Sequence, residues 1–232
     1  MSYAPYSTSP TEALNLQAVM TRVYAWMTAG LLATGAIAFF VANTGLAAIL
    51  ISSPIIYFGL FIVELIIVFV LASRIEKMSA GMATGMFMGY SLLNGLTLSL
   101  IFLVYTTESI ASTFLITGVT FGVMSLYGYT TKQDLSKIGN ILFMALIGFL
   151  IASVVNIFLR SEALYWIVTY AGILIFVGLT AWDTQKIKRM SMNIASNDEV
   201  NIQRLAILGA LMLYLDFINL FLLLLRVLGN RD

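Results

Sequence analysis

Acidic side chains lodged in otherwise apolar sequence are the residues whose chemistry most needs explaining. Glu64 stands ten residues after Pro54 and ten before Arg74, and Asp216 stands twelve after Arg204 and ten before Arg226. At a helical rise of 1.5 Å per residue, each acid is about 15–18 Å from either flank. If these segments cross a membrane, that depth is near the bilayer middle, where an acid costs about 2.5–3.5 kcal/mol on insertion scales. Such a group is paired, hydrated in a cavity, or protonated. It then serves as an ion or proton site, or makes a helix–helix hydrogen bond as the neutral acid. Asp183 follows twenty uncharged residues and precedes Lys186 by three, so it falls near a span boundary and could pair with that lysine on the helix surface. Arg74 lies on the same flank as Asp183. It is either a counter-ion or a basic flanking residue with no other task. Asn94, Thr97 and Asn156 read as interhelical hydrogen-bond partners. Glu64 and Asn94 are also candidate pore or ion contacts.

The rest of the composition says what must hold these groups. Of 232 residues, 60% are hydrophobic and 10% charged, against about 25% charged in a typical soluble domain. A mean hydropathy of +0.97 leaves too few polar groups to coat a water-facing surface, so the chain is an integral membrane protein with the lipid bilayer as its partner. It has no cysteine, hence no disulfide, thiolate nucleophile or iron–sulfur cluster, and no histidine, hence no imidazole base or ligand. The net charge of +1 argues against a nucleic-acid partner. No nucleophile–base arrangement is visible, so we expect neither enzyme activity nor a cofactor. Titration near neutral pH falls to carboxyl groups or the chain terminus.

Seven apolar runs of spanning length follow one another: roughly Val23–Ala42, Ile55–Ser73, Met78–Thr107, Ser109–Thr131, Ile138–Leu159, Ala163–Trp182 and Leu205–Leu225. Lipid offers the backbone no hydrogen bonds, and the runs are too continuously apolar for barrel strands, so they predict helices. Nine basic residues fall on one set of flanks (Arg22 to Arg204) and three on the other (Arg160, Arg226, Arg231). The positive-inside rule therefore predicts a cytoplasmic N-terminus and a C-terminus on the opposite side. The polar, proline-bearing stretch 1–21 reads as a flexible cytoplasmic tail ahead of a seven-helix domain over 22–229. Asp198 and Glu199 are placed to cap the last helix. Gly81, Gly85 and Gly89, and again Gly118 and Gly122, recur every fourth residue, the spacing that admits a close neighbour. Tight packing within the monomer is the expected use, with a dimer face or hinge as alternatives.

Four segments carry a resemblance: NGLTLS (Asn94–Ser99), YGYTTKQDL (Tyr127–Leu135), AWDTQKIK (Ala181–Lys188) and LYLDFINLF (Leu213–Phe221). In this order they resemble the Bax inhibitor family, also called the transmembrane Bax inhibitor motif family, in its bacterial inner-membrane branch. The resemblance implies an all-α seven-helix fold with the last helix central among the other six, and a pH-sensitive calcium leak across the membrane. It carries the family's acidic pair onto Asp183 and Asp216, its second-helix arginine onto Arg74 and its second-helix acid onto Glu64. Some bacterial relatives instead modulate a membrane-bound AAA protease, which would make such a protease a partner.

On that reading, two carboxyl groups in contact share one proton, because both cannot ionise cheaply. The shared proton ties the last two helices together and closes the path; its loss adds repulsion and frees one aspartate for Arg74. The ionised acids would attract calcium, which prefers oxygen ligands, in transient binding during permeation. Residue counting sets a condition: Asp183 lies near the boundary and Asp216 deep inside, so contact requires the seventh span to start several residues before Arg204.

Overall fold

The structure is a computed structural model that describes residues 10–192, 194 and 198–231. All its extended secondary structure is helical. Helix α1 spans Pro10–Ala42, a short α2 Leu46–Ser52, α3 Pro54–Arg74, α4 Ala80–Leu98, α5 Thr107–Thr130, α6 Ser136–Leu159, α7 Glu162–Met192 and α8 Glu199–Leu228. All but α2 are long and apolar enough to cross a membrane, which makes seven candidate spans. Local chemistry sets several boundaries. Pro54 occupies the first turn of α3, where its missing N–H costs nothing. The hydroxyls of Ser79 and Thr106 accept from Met82 N and Ser109 N to open α4 and α5. Asp198 caps α8 through Asn201 N at 3.0 Å, as its position predicted.

The bundle is arranged inside out relative to a soluble protein. Helix α6 buries only Gly139, and α3 only Glu64 and Leu71. Both helices present large apolar side chains outward, among them Ile55, Phe69, Met144 and Phe158. A continuous apolar coat of this kind suits lipid and not water. In α8, by contrast, more than half of the residues are buried. It packs against α1, α3, α4, α5 and α7. Leu211, Leu213, Tyr214, Leu220 and Leu225 are all but inaccessible along its length.

Two expectations need correction. Residues 10–21 are not tail but the first turns of α1, and residues 1–9 lie outside the described residues. The physical reason is a buried apolar stripe, Leu16, Val19, Met20 and Val23, at the three- and four-residue spacing of a helix face. The second concerns the glycine repeats. A Cβ at Gly81, Gly85, Gly89, Gly118 or Gly122 would meet nothing within 4 Å, so these do not mediate close packing within the monomer. Close approach occurs instead at Gly128, where a Cβ would collide with the Ala181 carbonyl, and at Gly139, which faces the Trp182 indole.

The two ends of the bundle are distinct. At one, Arg22 makes a bidentate ion pair with Glu199, both bonds at 2.8 Å, joining α1, three turns in, to the start of α8. At the other, Asn230 N donates to Ser109 Oγ at 2.9 Å and its carbonyl accepts from Thr106 N at 3.2 Å, tying the C-terminal segment to the start of α5.

Candidate functional site: a buried aspartate pair and a second polar chain

Asp183 lies within α7, nine residues before its end, and Asp216 lies past the middle of α8. The condition set by residue counting is met: α8 begins five residues before Arg204, and α7 runs on to Met192. The two carboxyl groups are neighbours across the packed α7–α8 face, close enough to act on one another. Both residues are buried, at 8% and 4% exposure. Asp183 Oδ1 and Asp216 Oδ2 meet no donor from any other described residue. An ionised carboxylate only accepts, so two carboxyl groups can bond each other only if one carries a proton. A bond between these two would therefore hold a proton between α7 and α8.

The neighbouring cations are placed differently. Lys186, one turn beyond Asp183, is near enough to act on it electrostatically. Its ammonium, however, stacks over the Trp182 ring at 4.9 Å from the centroid. The i+3 ion pair considered for the helix surface is not formed. Arg74, the expected counter-ion, is exposed at the end of α3. Among the described residues the ion pairs are Arg22–Glu199 and Arg189–Asp134, so Arg74 is not brought to the aspartates.

Two of the sequence segments flank the pair and clamp onto each other. Ser125 Oγ and Thr184 Oγ1 are 2.9 Å apart, and Tyr24 OH lies 2.5 Å from Ser125 Oγ. Gln185 accepts from Leu135 N at 2.9 Å and donates to the Gln133 carbonyl at 2.8 Å. Lys188 Nζ donates to the Tyr129 carbonyl at 2.7 Å. Arg189 donates to Asp134 Oδ1 and Ser136 Oγ. Asp134 sits in the α5–α6 connection outside the spans. The Ser136 backbone N–H, together with Arg189, holds its carboxyl down to about 2. The end of α5 and the α5–α6 connection are thus latched to α7 over the two turns that follow Asp183, through both backbone and side chains. Tyr129, Gln133, Asp134, Leu135, Thr184, Gln185 and Lys188 stood in the sequence only as motif members, and Tyr24, Ser125 and Ser136 were not singled out; their mutual contact was not readable from spacing.

Glu64 belongs to a second, separate chain of polar groups on the opposite side of α8. It is 6% exposed and accepts from Thr97 Oγ1 at 2.9 Å and Asn94 Nδ2 at 3.4 Å. Asn94 Oδ1 in turn accepts from Tyr214 OH at 3.1 Å, and Tyr214 OH lies 2.6 Å from Thr34 Oγ1. Four helices, α1, α3, α4 and α8, contribute to this chain. Asn94 and Thr97 are the interhelical partners expected of them. Tyr214 and Thr34 were not singled out, although Tyr214 stands two residues before Asp216 in the same segment. Asn156 does something more local: its Oδ1 accepts from Ser161 N at 3.0 Å and closes the end of α6. Among the described residues, no three acidic side chains converge into a metal site.

Residues 16–232 match the family model described as "Inhibitor of apoptosis-promoting Bax1". The inner membrane protein YbhL of Escherichia coli is 57% identical over 217 residues, covering 93% of each chain. An uncharacterised protein of Borreliella burgdorferi is 42% identical over 91% of each chain. One of Rickettsia prowazekii is 43% identical over 93% of this chain and 91% of its own. With the family model covering nearly the whole chain, and with relatives this similar along nearly their full lengths, this membrane protein is a member of the Bax inhibitor family.

Proposed function

We propose that the protein is a calcium leak pathway of the bacterial inner membrane whose opening is controlled by the proton shared between Asp183 and Asp216. The observation that carries this is the juxtaposition: two buried carboxyl groups, one from each of the last two helices, close enough to act on one another, each with a buried oxygen that meets no donor from the described residues. With one proton present, the contact is attractive and holds α7 against α8. When the proton leaves, two like charges face each other in a region of low dielectric, and the helix contact becomes repulsive. The proton is then the closing ligand, and the helix pair is the two-state element it biases. Rising pH opens the path.

Calcium is the cargo in this scheme. Two carboxylates offer hard oxygen ligands but too few for a tight site, which suits passage better than storage. Glu64 and Asn94 supply a second set of oxygens at membrane depth on the other face of α8. Arg74 is not needed for the closed arrangement, since the pair is complete without it. The excess of basic residues at the end that bears Arg22 and Lys188 supports a cytoplasmic N-terminus.

The test is calcium flux into proteoliposomes between pH 5 and 8. The unmodified protein should conduct more as pH rises. Asp183→Asn and Asp216→Asn should each flatten the pH dependence, because an amide holds its N–H donor at every pH in this range. Flux with the same pH profile in both variants would remove the shared proton from the mechanism. Absence of calcium flux at any pH would remove the leak itself.

A further inference from the structure

A cavity of about 580 Å³ opens between α6, α7 and α8 at the end of the bundle away from Arg22 and Glu199. Its mouth is polar, with Arg160, Ser161, Glu162 and Arg226, and its inner wall is apolar, with Phe149 and Val168. Phe149 lies eleven residues before Arg160, about 16 Å deeper along α6. We propose that this cavity binds an anionic phospholipid, with the headgroup phosphate held between the guanidinium groups of Arg160 and Arg226 and an acyl chain running down the apolar wall.

Three observations support a built site. First, the arginines are uncommitted as charges: neither forms an ion pair among the described residues. Arg226 is fixed in place by a bond to Thr169 Oγ1 at 3.1 Å and by stacking at 4.6 Å over the Tyr165 ring, which leaves most of its five N–H donors free. Glu162 contributes one exposed negative charge at the mouth, and the two arginines leave the balance positive.

Second, Arg160 adopts φ 50°, the only positive φ among the described residues outside glycine. Its N–H donates to the Asn156 carbonyl at 2.8 Å, ending α6 in the left-handed conformation that a glycine adopts at lower cost. The turn aside, a side chain at this position is strained, and a guanidinium at the mouth gives that strain a use.

Third, the depth is right for a headgroup. Tyr165, Trp166 and Tyr170 form a contiguous aromatic group on α7, with Trp166 stacked on Tyr170 at 5.9 Å, as in the belts that mark the membrane interface. At the cavity's edge Ile157, and beside it Phe158 and Leu159, are 69%, 81% and 63% exposed, a surface for acyl chains. A free phosphate would have no use for this apolar extension. The site is independent of the aspartate pair, since Asp183 lies twenty-one residues beyond Glu162, about 31 Å along α7.

Native mass spectrometry of the full-length protein, released from detergent with added phosphatidylglycerol or phosphatidylcholine, tests this. Phosphatidylglycerol should be retained and phosphatidylcholine lost. Arg160→Gln and Arg226→Gln should each weaken retention about tenfold, the effect of removing a charge-assisted hydrogen bond. Lys137→Gln, at the other end of α6, should leave retention unchanged. Equal retention of the two lipids overturns the proposal, as does undiminished retention in Arg160→Gln, an exposed position whose substitution does not depend on the folding of Arg226→Gln. If inorganic phosphate raises the melting temperature as much as phosphatidylglycerol does, the site recognises a free anion and the lipid assignment fails.

Discussion

A carboxyl group in the membrane interior must find a donor, a cation or a proton, and the acids here find different ones. Asp183 and Asp216 find each other. Glu64 is served by two fixed donors, Asn94 Nδ2 and Thr97 Oγ1, and these in turn depend on it. Glu64→Gln can satisfy the same neighbours, because its amide oxygen accepts from Asn94 while its N–H donates to the Thr97 hydroxyl. Stability should change little. Glu64→Leu leaves Asn94 Nδ2 facing an aliphatic side chain, while the Thr97 hydroxyl keeps the Asn94 carbonyl as an acceptor at 3.0 Å; an unsatisfied buried group costs about 1–3 kcal/mol. Thermal unfolding in detergent should therefore separate the two variants, with Leu clearly lower and Gln near the unmodified protein. The same pair also separates structure from transport. If Glu64 contacts the ion, Glu64→Gln lowers the amplitude of calcium flux while leaving its pH dependence in place, because the titrating pair is elsewhere.

At the level of elements, the decisive contacts are those that let backbones approach. Gly128 presses on the Ala181 carbonyl, one step from the helix turn that carries Asp183. Gly128→Ala forces α5 and α7 apart and should cost about 1–3 kcal/mol, as overpacking does elsewhere. Gly85→Ala, which meets nothing within 4 Å, should be neutral or slightly stabilising through helix propensity. Melting temperatures of the two variants, measured side by side, check this. The regular glycine repeats were the visible signal in the sequence, yet the irregular glycines do the packing: a four-residue repeat shows that a face is small, not that anything lies against it. The seven spans were legible because charge-free runs of this length admit little else. The start of α1 was not, because Thr11, Glu12, Asn15 and Gln17 gave it the composition of a tail while its apolar stripe carried the helix. The aspartate pair was legible only through family resemblance. Counting residues put Asp183 at a boundary, and only the overrun of α7 and the early start of α8 reconcile the two depths.

On the scale of the whole molecule, the asymmetry of basic residues makes a prediction about orientation that the absence of cysteine makes convenient to test. Single cysteines at Lys132 and Asn230 lie at opposite ends of the bundle, in connections outside the spans. A membrane-impermeant maleimide added to intact spheroplasts should label Asn230→Cys and spare Lys132→Cys, with the reverse in inverted vesicles. Labelling of the opposite pattern would place the N-terminus outside. The burial of α8 also bears on how the molecule is made. Helix α8 leaves the ribosome after the other helices described here, and five of them pack on it. Until it arrives, those earlier segments wait in the bilayer without their shared partner, with Tyr214 still missing from its bonds to Asn94 and Thr34. Assembly is thereby deferred until α8 has been made, and a chain stalled before that point would expose unfilled helix faces that the cell's quality control could recognise.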